Sequence, residues 1–281
     1  VFSLALIGAG NLGQALLECT CGGYSNPEHP CEADQIIVVE SDAARCVGLR
    51  EFATRANKPV SIESCITSSL KRAGVIVLAV KPQDYAIVAK DLALVVEPSQ
   101  LVVSVMAGVS IAAISSALGG HGAVIRCMPN LPARIGKAIT VYYSGPTISG
   151  DHRFLAEHLL STIGEILEVH SEELLASATA ISGSGPGYIY YLAQHMVAEA
   201  IVQGFTPAQA VKLVCATWGG AIELWQNSDE DPAKLLSAVT SKGGTTAAAV
   251  AVFEQAGVGA GLRAGVARAC ARAVELSQTK S

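Results

Sequence analysis

Gly8-Ala9-Gly10-Asn11-Leu12-Gly13 is a GxGxxG run, preceded by apolar residues 2–7 and followed by Ala15, Leu16 and Leu17. Between a strand and a helix, such a run has a defined use. The first glycine permits a tight turn, the second lets the backbone approach a pyrophosphate, and the third lets helix and strand pack closely. The helix start offers free N–H groups and the positive end of its dipole. This is the chemistry of dinucleotide binding. Glu40 ends the next apolar run, where a carboxylate accepts bonds from ribose hydroxyls and disfavours a 2′-phosphate, unless it is simply a solvated strand-end charge. Ser41 and Arg45 follow it, and a hydroxyl and a guanidinium suit that phosphate instead. Two further strand ends, Ala79-Val80-Lys81-Pro82 and Ala107-Gly108, fall where ligands bind in open α/β sheets. Lys81 reads either as a cofactor contact or as a charge capping the sheet.

A second chemical feature lies far along the chain, in Ser241-Lys242-Gly243-Gly244-Thr245-Thr246. Two glycines followed by hydroxyl residues at a helix start converge backbone N–H and hydroxyl donors, a form of receptor for a carboxylate or a phosphate; the plainer alternative is a glycine turn with an ordinary N-cap. The histidines form no constellation, and His195 lies on the polar side of its expected helix. Cys19, Cys21, His29 and Cys31 could supply metal ligands, yet their spacing lacks the usual CxxC knuckle. No metal is expected.

The elements that must position these residues change character midway. Strand-like runs at residues 2–7, 36–39, 75–80, 101–105, 124–127 and 139–143 alternate with helix-like segments. Their continuous apolar character fits strands buried on both faces, hence a mostly parallel, doubly wound α/β sheet of Rossmann type. Beyond about residue 170 the strand signals stop. Ile189, Leu192, Ala193, Met196, Val197, Ala200 and Ile201 fall on one helical stripe, Pro186 suits the first turn and Gly204 the exit. Thr206-Pro207 and Asp231-Pro232 read as N-caps with first-turn prolines, and further helices are expected over 246–255 and 262–276. The expected division is residues 1–168 for the dinucleotide and 169–281 for an all-α domain.

A hydrophobic fraction of 51% with only 5% aromatics provides a large core of small side chains. The net charge of −5, with dispersed Lys and Arg, gives no footprint for nucleic acid. The apolar run 75–80, closed by Lys81, is far short of the ~20 residues a bilayer span needs. The first residues read as a strand, with neither basic leader nor cleavage site, and the eight scattered cysteines read as reduced thiols. A cytoplasmic protein is expected.

Taken in order, Gly-Ala-Gly-Asn-Leu-Gly, Leu78-Ala79-Val80-Lys81-Pro82, Arg126-Cys127-Met128-Pro129-Asn130, Ser182-Gly183-Ser184-Gly185-Pro186-Gly187-Tyr188 and the Ser-Lys-Gly-Gly-Thr-Thr loop resemble the pyrroline-5-carboxylate reductase family over nearly the whole chain. That resemblance implies reduction of a cyclic imine to proline with hydride from NADPH, and a homodimer, or a larger homo-oligomer built from it, through the C-terminal helical domain. It implies that Ser241, Gly243, Gly244, Thr245 and Thr246 bind the substrate carboxylate, that Thr246 lies by the ring nitrogen, and that Asn130 lies near the nicotinamide. Leu131, Lys242 and Gly187 depart from the residues common in the family, residues 18–35 look longer than usual, and Glu40 opens the way to NADH beside NADPH. A β-hydroxyacid dehydrogenase would share the plan but carry a lysine about where Ile189 stands. A relative kept only as a regulatory dinucleotide-binding module would be expected to have lost the Gly-Gly-Thr-Thr loop, which is intact here.

Overall fold

A computed structural model describes residues 2–22 and 33–278. Its elements run β1 (Phe2–Ile7), α1 (Asn11–Thr20), β2 (Ala33–Val39), α2 (Ala43–Ala53), β3 (Val60–Glu63), β4 (Val75–Leu78), α3 (Tyr85–Leu92), β5 (Leu101–Ser104), α4 (Ile111–Ala117), β6 (Val124–Met128), β7 (Ala138–Tyr143), α5 (Gly150–Ser161) and β8 (Gly164–Glu168). The strands form one sheet in the order β3-β2-β1-β4-β5-β6-β7-β8. All neighbours are parallel except β6 and β7. The connection from Met128 to Ala138 is too short for a helical crossover, so that pair turns back on itself.

Successive residues of each strand feed two core layers, as the pleat requires. Leu4, Leu6, Val75, Val77, Leu101 and Val103 pack on one face with Leu16 and Leu17 of α1 and Leu159 and Leu160 of α5. Ala5, Ile7, Ile76, Leu78 and Val102 pack on the other with Leu92 of α3 and Ile114 of α4. Every residue of β4 and β5 is buried, which is why those strands read as unbroken apolar runs.

Six expected strands are present, with ends shifted by a few residues; Ala79 and Val80 lie past the end of β4. Two others, β3 and β8, were not anticipated. Both are edge strands, and their sequences Val-Ser-Ile-Glu and Gly-Glu-Ile-Leu-Glu mix apolar and charged residues because one side of each has no neighbour.

The strands give way to α6 (Leu174–Ala178), a π-helical turn over Thr179–Gly183, α7 (Gly185–Val202), α8 (Pro207–Gln226), α9 (Pro232–Val239), α10 (Thr245–Gln255) and α11 (Val258–Gln278). The start signals hold. Thr206 caps α8 through a reciprocal capping box with Gln209, the Asp231 side chain accepts from the Lys234 N–H, and Pro207 and Pro232 sit in first turns.

The chain divides into two compact units, one up to Ser184 together with the last turns of α11 from Ala269, the other Gly185–Arg268. The first holds nearly all of the buried apolar residues. In the second, Ala210 and Val214 are buried while the α7 stripe is open, with Ile189 47% and Met196 45% exposed. Within a single chain that stripe is left largely uncovered. No helix among the described residues is long and apolar enough to cross a membrane.

Candidate dinucleotide cleft and anion-binding loop

β1 delivers the glycine loop to the carboxyl edge of the sheet, where the strand order reverses between β1 and β4. In open α/β sheets this switch point is where ligands bind. Gly8 has φ +93°, and a Cβ there would stand 2.8 Å from the Ala79 carbonyl oxygen, so only glycine fits. A Cβ on Gly13 would lie 2.1 Å from the Gly8 carbonyl oxygen, which is how closely α1 approaches the loop. Gly10 differs from both. Nothing lies within 4 Å of a Cβ built on it, and it faces a cleft of about 460 Å³. It is the N-cap of α1, with no side-chain hydrogen bond on the cap and no acidic residue in the first turn. The first N–H groups of α1 are therefore left for an anion, and the open face of Gly10 lets one come close. These residues fit a dinucleotide pyrophosphate.

Gly8, Gly10, Glu40 and Ser41 line this cleft, facing Ala79, Val80 and Lys81 across the switch point. Lys81 is exposed, and Pro82 opens the short 3-10 turn after it. Glu40 is not a solvated charge, being only 5% exposed. One carboxylate oxygen accepts from the Ala9 N–H at 3.0 Å; the other accepts from the Asp42 N–H at 2.9 Å and from the Arg45 guanidinium at 3.2 Å. Glu40 thus ties the glycine loop to the start of α2, and Arg45, half-exposed, covers it at the edge of the cleft. Ser64, Cys65 and Ile66 after β3 and Ile87 and Val88 of α3 complete the walls. Sequence reasoning missed the first three because it missed β3, whose end delivers them.

The remaining expected residues lie elsewhere. Ala107 and Gly108 follow β5 outside the cleft, and Gly108 faces the backbone of Leu276 at the end of α11. Asn11 and Leu12, at the start of α1, line a smaller recess of about 190 Å³ with Pro129, Asn130 and Gly183. Asn130 directs its side chain at main-chain groups, accepting from the Ile139 N–H at 3.1 Å and donating to the Ser182 carbonyl at 3.2 Å.

The second unit carries the Ser241–Thr246 loop. The chain turns there through Gly243 at φ +73°, with the Gly244 N–H donating to the Ser241 carbonyl at 3.0 Å. α10 then begins on Gly244 as N-cap, again with no side-chain cap and no acidic first turn. Thr245 and Thr246 are its opening residues. A helix start left bare in this way can take a carboxylate.

The ionisable side chains that line the cleft are Glu40, Arg45, Cys65, Lys81, Asp84 and Asp91, with no histidine among them. Burial pushes the Cys127 thiol and the Tyr85 phenol up to about 12 and lowers His121, but all three sit in the sheet packing and none lines the cleft. His195 packs edge-on against Tyr191, with ring centroids 4.8 Å apart. The Cys19, Cys21, His29 and Cys31 cluster falls partly outside the described residues, and among those described no group of side chains could hold a metal ion.

Residues 172–276 match the sequence family described as pyrroline-5-carboxylate reductase dimerisation, and residues 3–108 the family described as NADP oxidoreductase, coenzyme F420-dependent. Pyrroline-5-carboxylate reductase of Pseudomonas aeruginosa is 34% identical over 98% of this chain and 97% of its own. That of Synechocystis is 33% identical over 98% of both chains. Among solved structures, a pyrroline-5-carboxylate reductase from Coxiella burnetii superposes with TM-score 0.84 at 27% identity over 98% of both chains. One from Plasmodium falciparum with NADP bound shares the fold, with TM-score 0.82 at 22% identity over 98% of both chains.

The Glu40 clasp yields a prediction. Glu40→Ala leaves the buried Ala9 N–H without its acceptor, so the unfolding free energy should drop by about 1–3 kcal/mol and NADPH and NADH should weaken together. Unchanged denaturant unfolding, or a loss confined to one cofactor, would show that the carboxylate serves the ribose and not the loop.

Proposed function

The chain belongs to the pyrroline-5-carboxylate reductase family, and from that membership we infer that it reduces the cyclic imine 1-pyrroline-5-carboxylate to L-proline, the final step of proline biosynthesis. It is an oxidoreductase acting on a carbon–nitrogen double bond. The observation that carries the reading is a pair of bare helix starts. α1 begins on Gly10 and α10 on Gly244, neither capped by a side chain and neither carrying an acidic residue in its first turn. One suits the pyrophosphate of a dinucleotide and the other a small carboxylate.

A nicotinamide dinucleotide held at the Gly8–Gly13 loop would supply the hydride for the imine carbon. The protein supplies position. Backbone N–H groups at Gly243 and Thr245, with the Ser241 hydroxyl, anchor the substrate carboxylate against Gly244, and the Thr246 hydroxyl hydrogen-bonds the ring nitrogen. A protonated imine is already electrophilic, so holding its carbon in line is the main demand and no strong base is required. Absence of a histidine–carboxylate pair from either loop agrees with this. We assign residues 1–168 to the dinucleotide and 169–281 to substrate and association, and place the enzyme in the cytoplasm, where free thiols such as Cys46 and Cys127 are at home.

For the hydride donor we propose NADPH, with NADH also accepted. Glu40 is neutralised in place by Arg45 and two N–H groups, so its charge does little to repel a 2′-phosphate, while Arg45 and the exposed Ser41 stand at the cleft edge to receive one. The chain self-associates, and we propose a homodimer through the second unit, whose α7 stripe has no core of its own.

Purified protein should consume NADPH when given pyrroline-5-carboxylate and should not reduce NADP+ when given hydroxyacids; the reverse would end the assignment. Thr246→Ala should lower kcat/KM for the imine about tenfold, ~1.4 kcal/mol of transition-state stabilisation, with dinucleotide affinity unmoved. A wild-type rate would remove Thr246 from the site. Arg45→Ala should cut kcat/KM with NADPH about tenfold and leave NADH nearly unaffected; equal losses would reject Arg45 as the phosphate contact. Sedimentation should give at least a dimer, and Met196→Glu on the exposed stripe should shift it toward monomer. A monomeric wild type would refute the interface.

A further inference from the structure

We infer that Asn130 is a positioning residue, whose carboxamide braces the π-helical turn Thr179–Gly183 against the β6–β7 connection and so sets the walls of the recess beside the first turn of α1. The inference rests on the reading above, because that first turn is where the dinucleotide pyrophosphate is placed. Three features of the local backbone argue for it.

The first is a ladder that ends early. β6 and β7 pair antiparallel, with Met128 opposite Val141 as the last partners. Continued by two residues along each strand, the register sets Asn130 opposite Ile139. At that point β6 has ended, and the Asn130 side-chain oxygen takes the Ile139 N–H at 3.1 Å in place of a backbone carbonyl. Second, Asn130 is the N-cap of the 3-10 turn Leu131–Ile135, a place where asparagine ordinarily bonds its own helix, yet its side chain makes no such bond. It is directed outward to other segments.

The third feature is the acceptor it reaches. The residue four beyond Ser182, whose N–H would close an ordinary helical bond onto the Ser182 carbonyl, is Pro186, which has no N–H to give. The turn there is π-type, with the Ser184 N–H donating back to the Thr179 carbonyl at 2.8 Å. Asn130 Nδ2 donates to the Ser182 carbonyl at 3.2 Å, giving a partner where the proline gives none. Next along, Gly183 stands so close to β6 that a Cβ on it would lie 3.3 Å from the Met128 Cε. Gly183 lines the recess with Asn11, Leu12 and Pro129. A shift of the π turn therefore moves one wall of that recess relative to α1, and π turns of this kind recur at functional sites. Asn130 acts on the reaction through Ser182 and Gly183, without touching substrate or dinucleotide.

The test uses the full chain and the variants Asn130→Asp, Pro186→Ala and their combination. Asp keeps the acceptor arm and removes the donor. Amide hydrogen exchange should therefore remain slow at Ile139 and accelerate about tenfold or more over residues 179–184. Turnover should fall about tenfold while the NADPH dissociation constant, read by fluorescence titration, stays within about twofold. Pro186→Ala restores an N–H for Ser182, so in the combined variant both the protection and the turnover should recover toward those of Pro186→Ala alone. Wild-type exchange over 179–184 in Asn130→Asp overturns the inference. So does an NADPH dissociation constant that rises in step with the loss of turnover, which would make Asn130 a cofactor contact, or a defect of equal size with and without Pro186. If Asn130→Asp does not fold, Asn130→Ser, which retains neither arm, should expose both Ile139 and residues 179–184; retained protection at either sinks the brace. Should the wild type show the expected exchange pattern yet reduce no imine, the brace stands and the reaction assignment is what fails.

Discussion

The approach of α1 to the sheet governs the rest of the first unit. Gly13 lies so near the Gly8 carbonyl that a single methyl group would meet it at 2.1 Å, and this contact brings the bare end of the helix to the carboxyl edge at the switch between β1 and β4. A helix start held away from the edge would have N–H groups but no cleft beside them. Glu40 fixes the same loop from the other side, accepting from Ala9 while it holds Asp42 and Arg45. A buried carboxylate is tolerable here because three donors satisfy it. The clasp converts a glycine-rich turn, otherwise free to sample many conformations, into a preformed seat.

The second unit follows a different rule. Its helices are apolar, and side chains cap the starts of α8 and α9, but few side chains are buried within it, and large residues such as Ile189, Met196 and Phe253 are open. Helix caps and propensity set where helices start and stop; they do not make a core. Exposed apolar surface of this kind belongs against another surface, which agrees with the match of residues 172–276 to a family described by its dimerisation. Two separate requirements thus divide the chain: a sheet that must be covered on both faces, and a helical part that a single copy leaves uncovered.

Reading the chain residue by residue recovered the parts whose signals are local. The six apolar strands, the GxGxxG turn, the Thr206 and Asp231 caps and the glycine-led start of α10 are all set by neighbours within a few positions. The two edge strands escaped because half of each is solvated, and with β3 went Ser64, Cys65 and Ile66, which close the cleft. The α7 stripe was legible as a stripe. What it faces was not.

Sequence alone thus determined six of the eight strands, the mostly parallel character of the sheet and the position of the two glycine-led helix starts, since each depends on residue type and spacing over short stretches. Tertiary structure decided how the side chains are used. That Glu40 serves the loop through Ala9, and that Asn130 reaches both Ile139 and Ser182, depends on groups brought together from 31 and 52 residues apart. A carboxylate or a carboxamide has several bonds to offer, and only the packed fold selects which partners come within reach.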